Sequence, residues 1–270
     1  MQGIQEKVIF NFDIIEEWGP RLLMHLTEIL PSDLTRIIQS KSPKYIEDAR
    51  DILISCVNRI DLVEHVIAWI NMQAVMGYHG TRVTVEELES IRCEGLRPLI
   101  ATKRETRLRR SLCVHPRWDE VEPLLEAALE YFGSNAGGGR REGQVHLTIS
   151  RTGLVDGFNH YLEEGSEFDS HVAHHLLGQE GPSLLVADGN PYLVQVQVPG
   201  NIALEACNPW GQGGNEFPNF ISDILADWSY WLAYPSYASA SRHLDCGMTF
   251  RKPVPAEWIV ALERIWITTN

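Results

Sequence analysis

Five residues, Tyr78-His79-Gly80-Thr81-Arg82, combine a histidine, a glycine, a hydroxyl and a guanidinium within the reach of one small ligand. Gly80 has no Cβ and lets a ligand lie against the main chain, while His79 can donate or accept a hydrogen bond beside it. Such a grouping suits a nucleotide held against exposed backbone. A second grouping, Asp169, His171, His174 and His175, has helical spacing, and histidines at i and i+4 can share a metal. Val172, however, stands where a metalloprotease helix places its glutamate, so a solvated helix face is expected and no metal. No Gly-x-Ser-x-Gly elbow occurs, which argues against a serine hydrolase. The run Lys103 to Arg110 is the basic stretch of an acidic chain. It could grip phosphate oxygens, although such runs are commonly solvated faces.

These groups need elements to hold them. After Arg82, Thr84 can cap a helix whose first turn carries Glu86 and Glu87, favourable at the positive end of the dipole. Val85, Leu88 and Ile91 recur at helical spacing and are expected to face inward. Gly95 can end the helix in a left-handed conformation, and Pro98 prevents its resumption. Residues 78–82 alone look too short and too polar for a core strand.

The order His-Gly-Thr-Arg, a helix, then Gly95-Leu96-Arg97 resembles the first motif of ADP-ribosyltransferases of the PARP and diphtheria-toxin type. The resemblance implies that His79 and Gly80 bind NAD, with Thr81 and Arg82 beside them. It also implies a tyrosine that stacks on nicotinamide and a serine shortly after it. Tyr161 and Ser166, in Gly157 to Ser166 ahead of an expected helix over 167–177, stand in those places. A flat ring there would hold the departing nicotinamide in a strained conformation. The family's third element is a glutamate on a late strand that stabilises the developing ribosyl cation. The equivalent stretch, Asp245-Cys246-Gly247, has no glutamate, so Glu216 in a glycine-rich segment and Asp245 are the two candidates, with Glu216 ranked first.

The implied activity is NAD-dependent mono-ADP-ribosylation of a protein or other macromolecule, as in a toxin or effector, with NAD consumed as substrate. Water as the acceptor is a variant of the same reaction. Two alternatives stay open: a non-catalytic module of this fold that recognises a partner protein, and an RNA 2′-phosphotransferase-like enzyme using Arg82, Arg97 or the basic run.

The remainder of the chain sets the architecture. Residues 1–76 read as a helical region. Ser42 and Pro43 are expected to start one helix, with Ile46, Ala49, Leu53, Cys56, Val57 and Ile60 as its apolar stripe. Asp61 is expected to cap the next, ending at Gly77. Those helices pack internally or bind a protein partner. From residue 77 to 270 the pattern is mixed: a helix over 117–131, strands over 144–150, 183–187 and 192–198, a helix over 221–232, and closing strands over 247–250 and 258–266. The expected class is α+β, with the split mixed sheet core that the resemblance implies. The cluster Gly137-Gly138-Gly139 precedes a strand instead of joining strand to helix, so it suits neither a dinucleotide fingerprint nor a P-loop.

With 270 residues and 44% apolar content the chain can bury a sizeable core. A net charge of −13 argues against nucleic acid as a partner. Five scattered cysteines without a Cys-x-x-Cys pair read as reduced thiols of a cytoplasmic protein. Neither a signal peptide nor a membrane span is expected. Export by a route that needs no signal would leave no mark, so an effector role stays open.

Overall fold

The structure is a computed structural model that describes residues 8–133, 142–208 and 219–266. In chain order its elements are β1 (Ile9–Phe10), α1 (Ile15–Leu26), α2 (Leu34–Lys41), α3 (Ile46–Cys56), α4 (Arg59–Asn71), β2 (Ala74–Val83), α5 (Val85–Glu94), α6 (Glu105–Leu112), α7 (Trp118–Val121), α8 (Leu125–Phe132), β3 (Val145–Thr148), α9 (His160–Glu163), α10 (Glu167–Leu177), α11 (Glu180–Asp188), β4 (Asn190–Pro199), α12 (Gly200–Ala206), α13 (Asn219–Ala233), β5 (Gly247–Phe250) and β6 (Ile259–Arg264). The class is α+β. The strands belong to one six-stranded sheet where a split pair was expected, with β5-β3-β2-β4-β6 in order and β1 added beside β2.

Two compact units share the chain. The first gathers Met1–Gly77, Thr148–Leu154 and Gln197–Met248. Residues 8–76 therefore cluster with later segments, α12 and α13 among them. The centre of this unit is aromatic: Phe10 meets Trp18 edge-on at 5.2 Å and Trp69 at 5.5 Å. Each buried indole needs an acceptor, and Trp18 donates to Phe12 O at 3.1 Å while Trp228 donates to Gly19 O at 3.1 Å. β1 runs parallel to the start of β2, pairing Ile9 with Ala74.

The second unit comprises Tyr78–Leu147, Val155–Val196 and Thr249–Asn270. Its apolar core is helical: Leu108 and Leu112 of α6, Leu125 and Leu129 of α8, and Val172 and Ala173 of α10 are buried together. β6 closes the sheet antiparallel to β4, with a bulge at Gln195/Val196.

Several local expectations change. Tyr78 to Arg82 lies inside the ten-residue strand β2, because Val75 and Met76 supply the apolar run that residues 78–82 lack. Gly77 is therefore a strand residue, and α4 stops at Asn71. Ser42 ends α2 in the left-handed conformation at φ 46°, and the Tyr45 amide before α3 donates to the Asp48 carboxylate at 3.0 Å. Asn58, not Asp61, caps α4, accepting from Ile60 N at 2.9 Å. The helix expected over 117–131 is divided into α7, a 3₁₀ turn at Glu122–Leu124 and α8, since Pro123 has no N–H to donate. Residues 183–187 form part of helix α11 instead of a strand. A short apolar run such as Leu184-Leu185-Val186 fits a buried helix and a strand equally by periodicity.

Candidate functional site

The first motif is built as its residues dictate. Thr84 caps α5 by accepting from Glu87 N at 3.3 Å, and the Glu87 carboxylate accepts from Thr84 N at 3.0 Å, a reciprocal capping box. Gly95 ends the helix at φ +80°, with the Val254 carbonyl where a Cβ would stand. Leu88 of this helix is buried and Ile91 half-buried, but Val85 is 69% exposed, which corrects its expected inward placement.

His79 sits in mid-strand on β2. Its Nδ1 is 2.8 Å from the main-chain carbonyl of His146. A carbonyl can only accept, so Nδ1 carries the proton and a neutral ring presents Nε2 as an acceptor. Burial lowers the pKa of His79 from its ordinary value, outweighing the opposite pull of the His146 carbonyl. The ring is therefore neutral at pH 7.

Alternation along β2 places His79 and Thr81 on one face and Gly80 and Arg82 on the other. Arg82 is spent on structure. Its guanidinium donates to Leu162 O at 3.1 Å and to Val186 O and Gly189 O at 2.8 Å each, capping the C-terminal end of α11. Burial first, then the nearby Arg107, lowers the pKa of Arg82. Cβ atoms at Gly165 and Gly189 would each stand 3.3 Å from Arg82 Cβ, so the segment carrying Tyr161 and Ser166 packs on the Arg82 face of the strand.

On that side the Tyr161 hydroxyl donates to Glu167 Oε1 at 3.1 Å, and His160 Nε2 lies 3.3 Å from the same oxygen. Ser166 caps α10, its hydroxyl accepting from Asp169 N at 3.3 Å. The structure thus brings Tyr161 and Ser166 together with Arg82, while His79 and Thr81 point from the other face. Asp245 is exposed and precedes β5 by two residues. Glu216 lies outside the described residues, as does the Gly137-Gly138-Gly139 cluster.

The basic run is occupied. Arg104 grips the buried Asp169 carboxylate with two donors, at 3.0 and 2.5 Å, and reaches Glu87 at 3.1 Å. Burial opposes its charge, yet Asp169 and Glu87 outweigh that cost and raise its pKa. Arg107 pairs with Glu87 and donates to Arg82 O at 3.2 Å. Arg109 pairs with Glu105 and Glu122, and Arg110 with Glu86 and Asp188. Arg97, the other arginine considered for phosphate chemistry, pairs with Glu94 at 2.8 Å. The Arg104 and Arg107 pairs are largely buried, whereas those of Arg97, Arg109 and Arg110 lie at the surface.

His171, His174 and His175 lie exposed on α10, the first and last of them packing against Phe132 at ring distances of 6.0 and 5.6 Å. His171 and His174 line a groove of about 520 Å³ with Glu164, Ser170 and Pro182. Among the described residues no group of three or more His, Cys, Asp or Glu side chains is placed to share a metal ion, and no helix is long and apolar enough to cross a membrane.

Sequence reasoning passed over His146 and Thr249. In three adjacent strands a half-buried residue lies between buried ones, His79 on β2, His146 on β3 and Thr249 on β5, while Thr81 and Arg82 of β2 are both half-buried. Thr249 Oγ1 lies 3.3 Å from His146 Nδ1. The signal was present in Val145-His146-Leu147, where a histidine takes the less covered side of an alternating strand. No family model, curated protein or solved structure matches this chain.

Proposed function

We propose that the protein binds NAD through its second unit and transfers ADP-ribose from it to a protein or other macromolecular acceptor, with release of nicotinamide. The observation that carries this reading is the neutral His79 imidazole, its Nδ1 proton held by the His146 carbonyl at 2.8 Å, which leaves Nε2 as the acceptor nitrogen of the ring. The capped α5 beside it and the close of that helix at Gly95 support the likeness to the first motif of the ADP-ribosyltransferases. Tyr161 and Ser166 pack on the Arg82 face of β2, across the strand from His79, so this reading rests on His79 and the first motif and not on them.

A specific observation favours a second reading. β5, Gly247–Phe250, carries no carboxylate, and a domain of this kind without one on its late strand suits a module that binds NAD or an ADP-ribose-like group and recognises a partner protein.

The experiment is incubation of the pure protein with NAD labelled in its adenylate part and a cell lysate, beside His79→Ala. Free nicotinamide and labelled macromolecules are followed together. Transfer in the wild type with loss of about tenfold or more in the variant, the worth of one well-placed hydrogen bond, supports the transferase. Nicotinamide release without label points to hydrolysis, NAD binding without turnover points to the module, and the absence of NAD binding by calorimetry overturns both readings.

A further inference from the structure

We infer that the surface running from Tyr131 across α10 to the groove between α10 and α11 is a docking site for an Arg- or Lys-rich segment of a partner protein. The inference goes beyond the NAD reading and does not depend on it.

The surface is continuous because His171 belongs to both of its parts. On the α8 side Tyr131 stacks on His175 at 6.0 Å and 20°, and Phe132 meets His175 and His171 at ring distances of 5.6 and 6.0 Å. One face of the Tyr131 ring is thereby taken, and the residue is still 62% exposed. On the α11 side, His171 and His174 line the groove of about 520 Å³ together with Glu164, Gln179 and Ser183. Gly181 sets its walls: a Cβ there would stand 2.2 Å from Ala173 O, so α11 starts in main-chain contact with α10.

The chemistry of the surface selects its partner. The groove lining holds a carboxylate, Glu164, and neither lysine nor arginine. The face of a tyrosine ring attracts a cation through its quadrupole, and a guanidinium also stacks on it. A carboxylate beside the ring accepts from the same cationic segment. Ser183 and Gln179 then supply donors and acceptors for the main chain of an extended peptide. At long range a net charge of −13 draws basic partners in and repels phosphate-bearing ones, so nucleic acid and anionic membrane have the wrong sign for this surface.

The test is fluorescence anisotropy of a labelled oligo-arginine peptide titrated with the full chain, with circular dichroism and melting temperature measured on each variant. Tyr131→Ala is expected to weaken binding about two- to fivefold, the worth of an exposed cation–π contact, whereas Tyr131→Phe keeps the ring and stays within about twofold of wild type. Glu164→Gln is expected to weaken binding by up to about fivefold, as for an exposed ion pair, and the double variant Tyr131→Ala/Glu164→Gln by about tenfold. Glu64→Gln removes an exposed carboxylate from α4 of the first unit and changes the net charge equally. It separates docking from general attraction to an acidic chain, and its effect is expected to stay under about twofold. The inference is overturned by wild-type affinity in the folded double variant, by a loss in Glu64→Gln as large as in Glu164→Gln, or by absence of peptide binding in the wild type. None of these readouts involves NAD, so each of them leaves the NAD reading standing.

Discussion

The first unit centres on packed aromatic rings, and the second adds to its apolar helical core a set of buried ion pairs around Asp169. Around Phe10 the neighbours are Trp18, Trp69 and Phe220, and the Trp18 indole donates to a main-chain carbonyl. Around Asp169 the neighbours are Arg104 and Arg107, whose other partners are Glu87 and the main chain. Apolar packing is additive and forgiving of small changes, whereas a buried ion pair fails when one member is lost. The second unit has placed its most fragile interactions between the first turn of α5 and the first turn of α10, where Arg104 and Arg107 join Glu87 to Asp169.

The comparison is broken most directly at Asp169. Asp169→Ala leaves Arg104 and Arg107 without their shared carboxylate, and urea unfolding is expected to register a loss of about 3–5 kcal/mol. Adding Arg104→Met to that variant should recover part of the loss, because the stranded cation is then removed as well. If the double variant is no more stable than the single one, the set of pairs is not electrostatic in the sense argued here.

Trp18→Ala in the first unit should cost a similar amount, about 3–5 kcal/mol from lost burial and the cavity left behind. No companion substitution of a charged residue should rescue it.

Two titrations sharpen the contrast because their signs are opposite. In the first unit burial pushes Asp227 up to about 6, against the pull of Tyr237 and Arg242. A carboxyl with a raised folded pKa is more stably held when protonated, so its contribution falls as pH rises from about 4 to about 6 and is level above that. In the second unit the lowered pKa of His79 acts the other way. The unfolded chain takes up the proton first, so stability falls as pH drops below the ordinary histidine value of about 6.5. Unfolding free energies measured across pH 4–8 for wild type, Asp227→Asn and His79→Gln should show each slope vanish only in its own variant. A wild-type slope retained in either variant assigns that titration to another group.

The smallest effect is expected at the capping box. Thr84→Ala should cost about 1 kcal/mol, and thermal unfolding with Thr84→Ser as the conservative partner measures it. A cost as large as that at Asp169 would mean that Glu87 depends on Thr84 to hold its arginines.

What was legible in the sequence follows from how local each signal is. The helix α5 is readable because Thr84 caps amides a few residues on and Gly95 permits the turn that ends it. α+β character was readable from the change of periodicity near residue 77. The Arg82 and Arg104 partners were not readable, because Gly189 and Asp169 are distant in the chain and nothing local distinguishes a spent arginine from a ligand-seeking one. The helix over residues 180–188 was lost to a run of three apolar residues that both periodicities accommodate. For the candidate site, His79 stands out because a glycine and a hydroxyl follow it directly. His146 was missed because a single histidine in an alternating strand has meaning only beside its neighbouring strands.

The Gly95 close has a consequence for how the chain matures. Leu96 N donates to Val254 O at 3.0 Å and Val254 N returns to Leu96 O at 2.8 Å, so the segment after the His79 strand is finished by residues far downstream in the sequence. A growing chain emerges from its N-terminus onward, and contacts this distant in sequence form late and slowly. During synthesis the histidine strand is therefore made long before the residues that secure it.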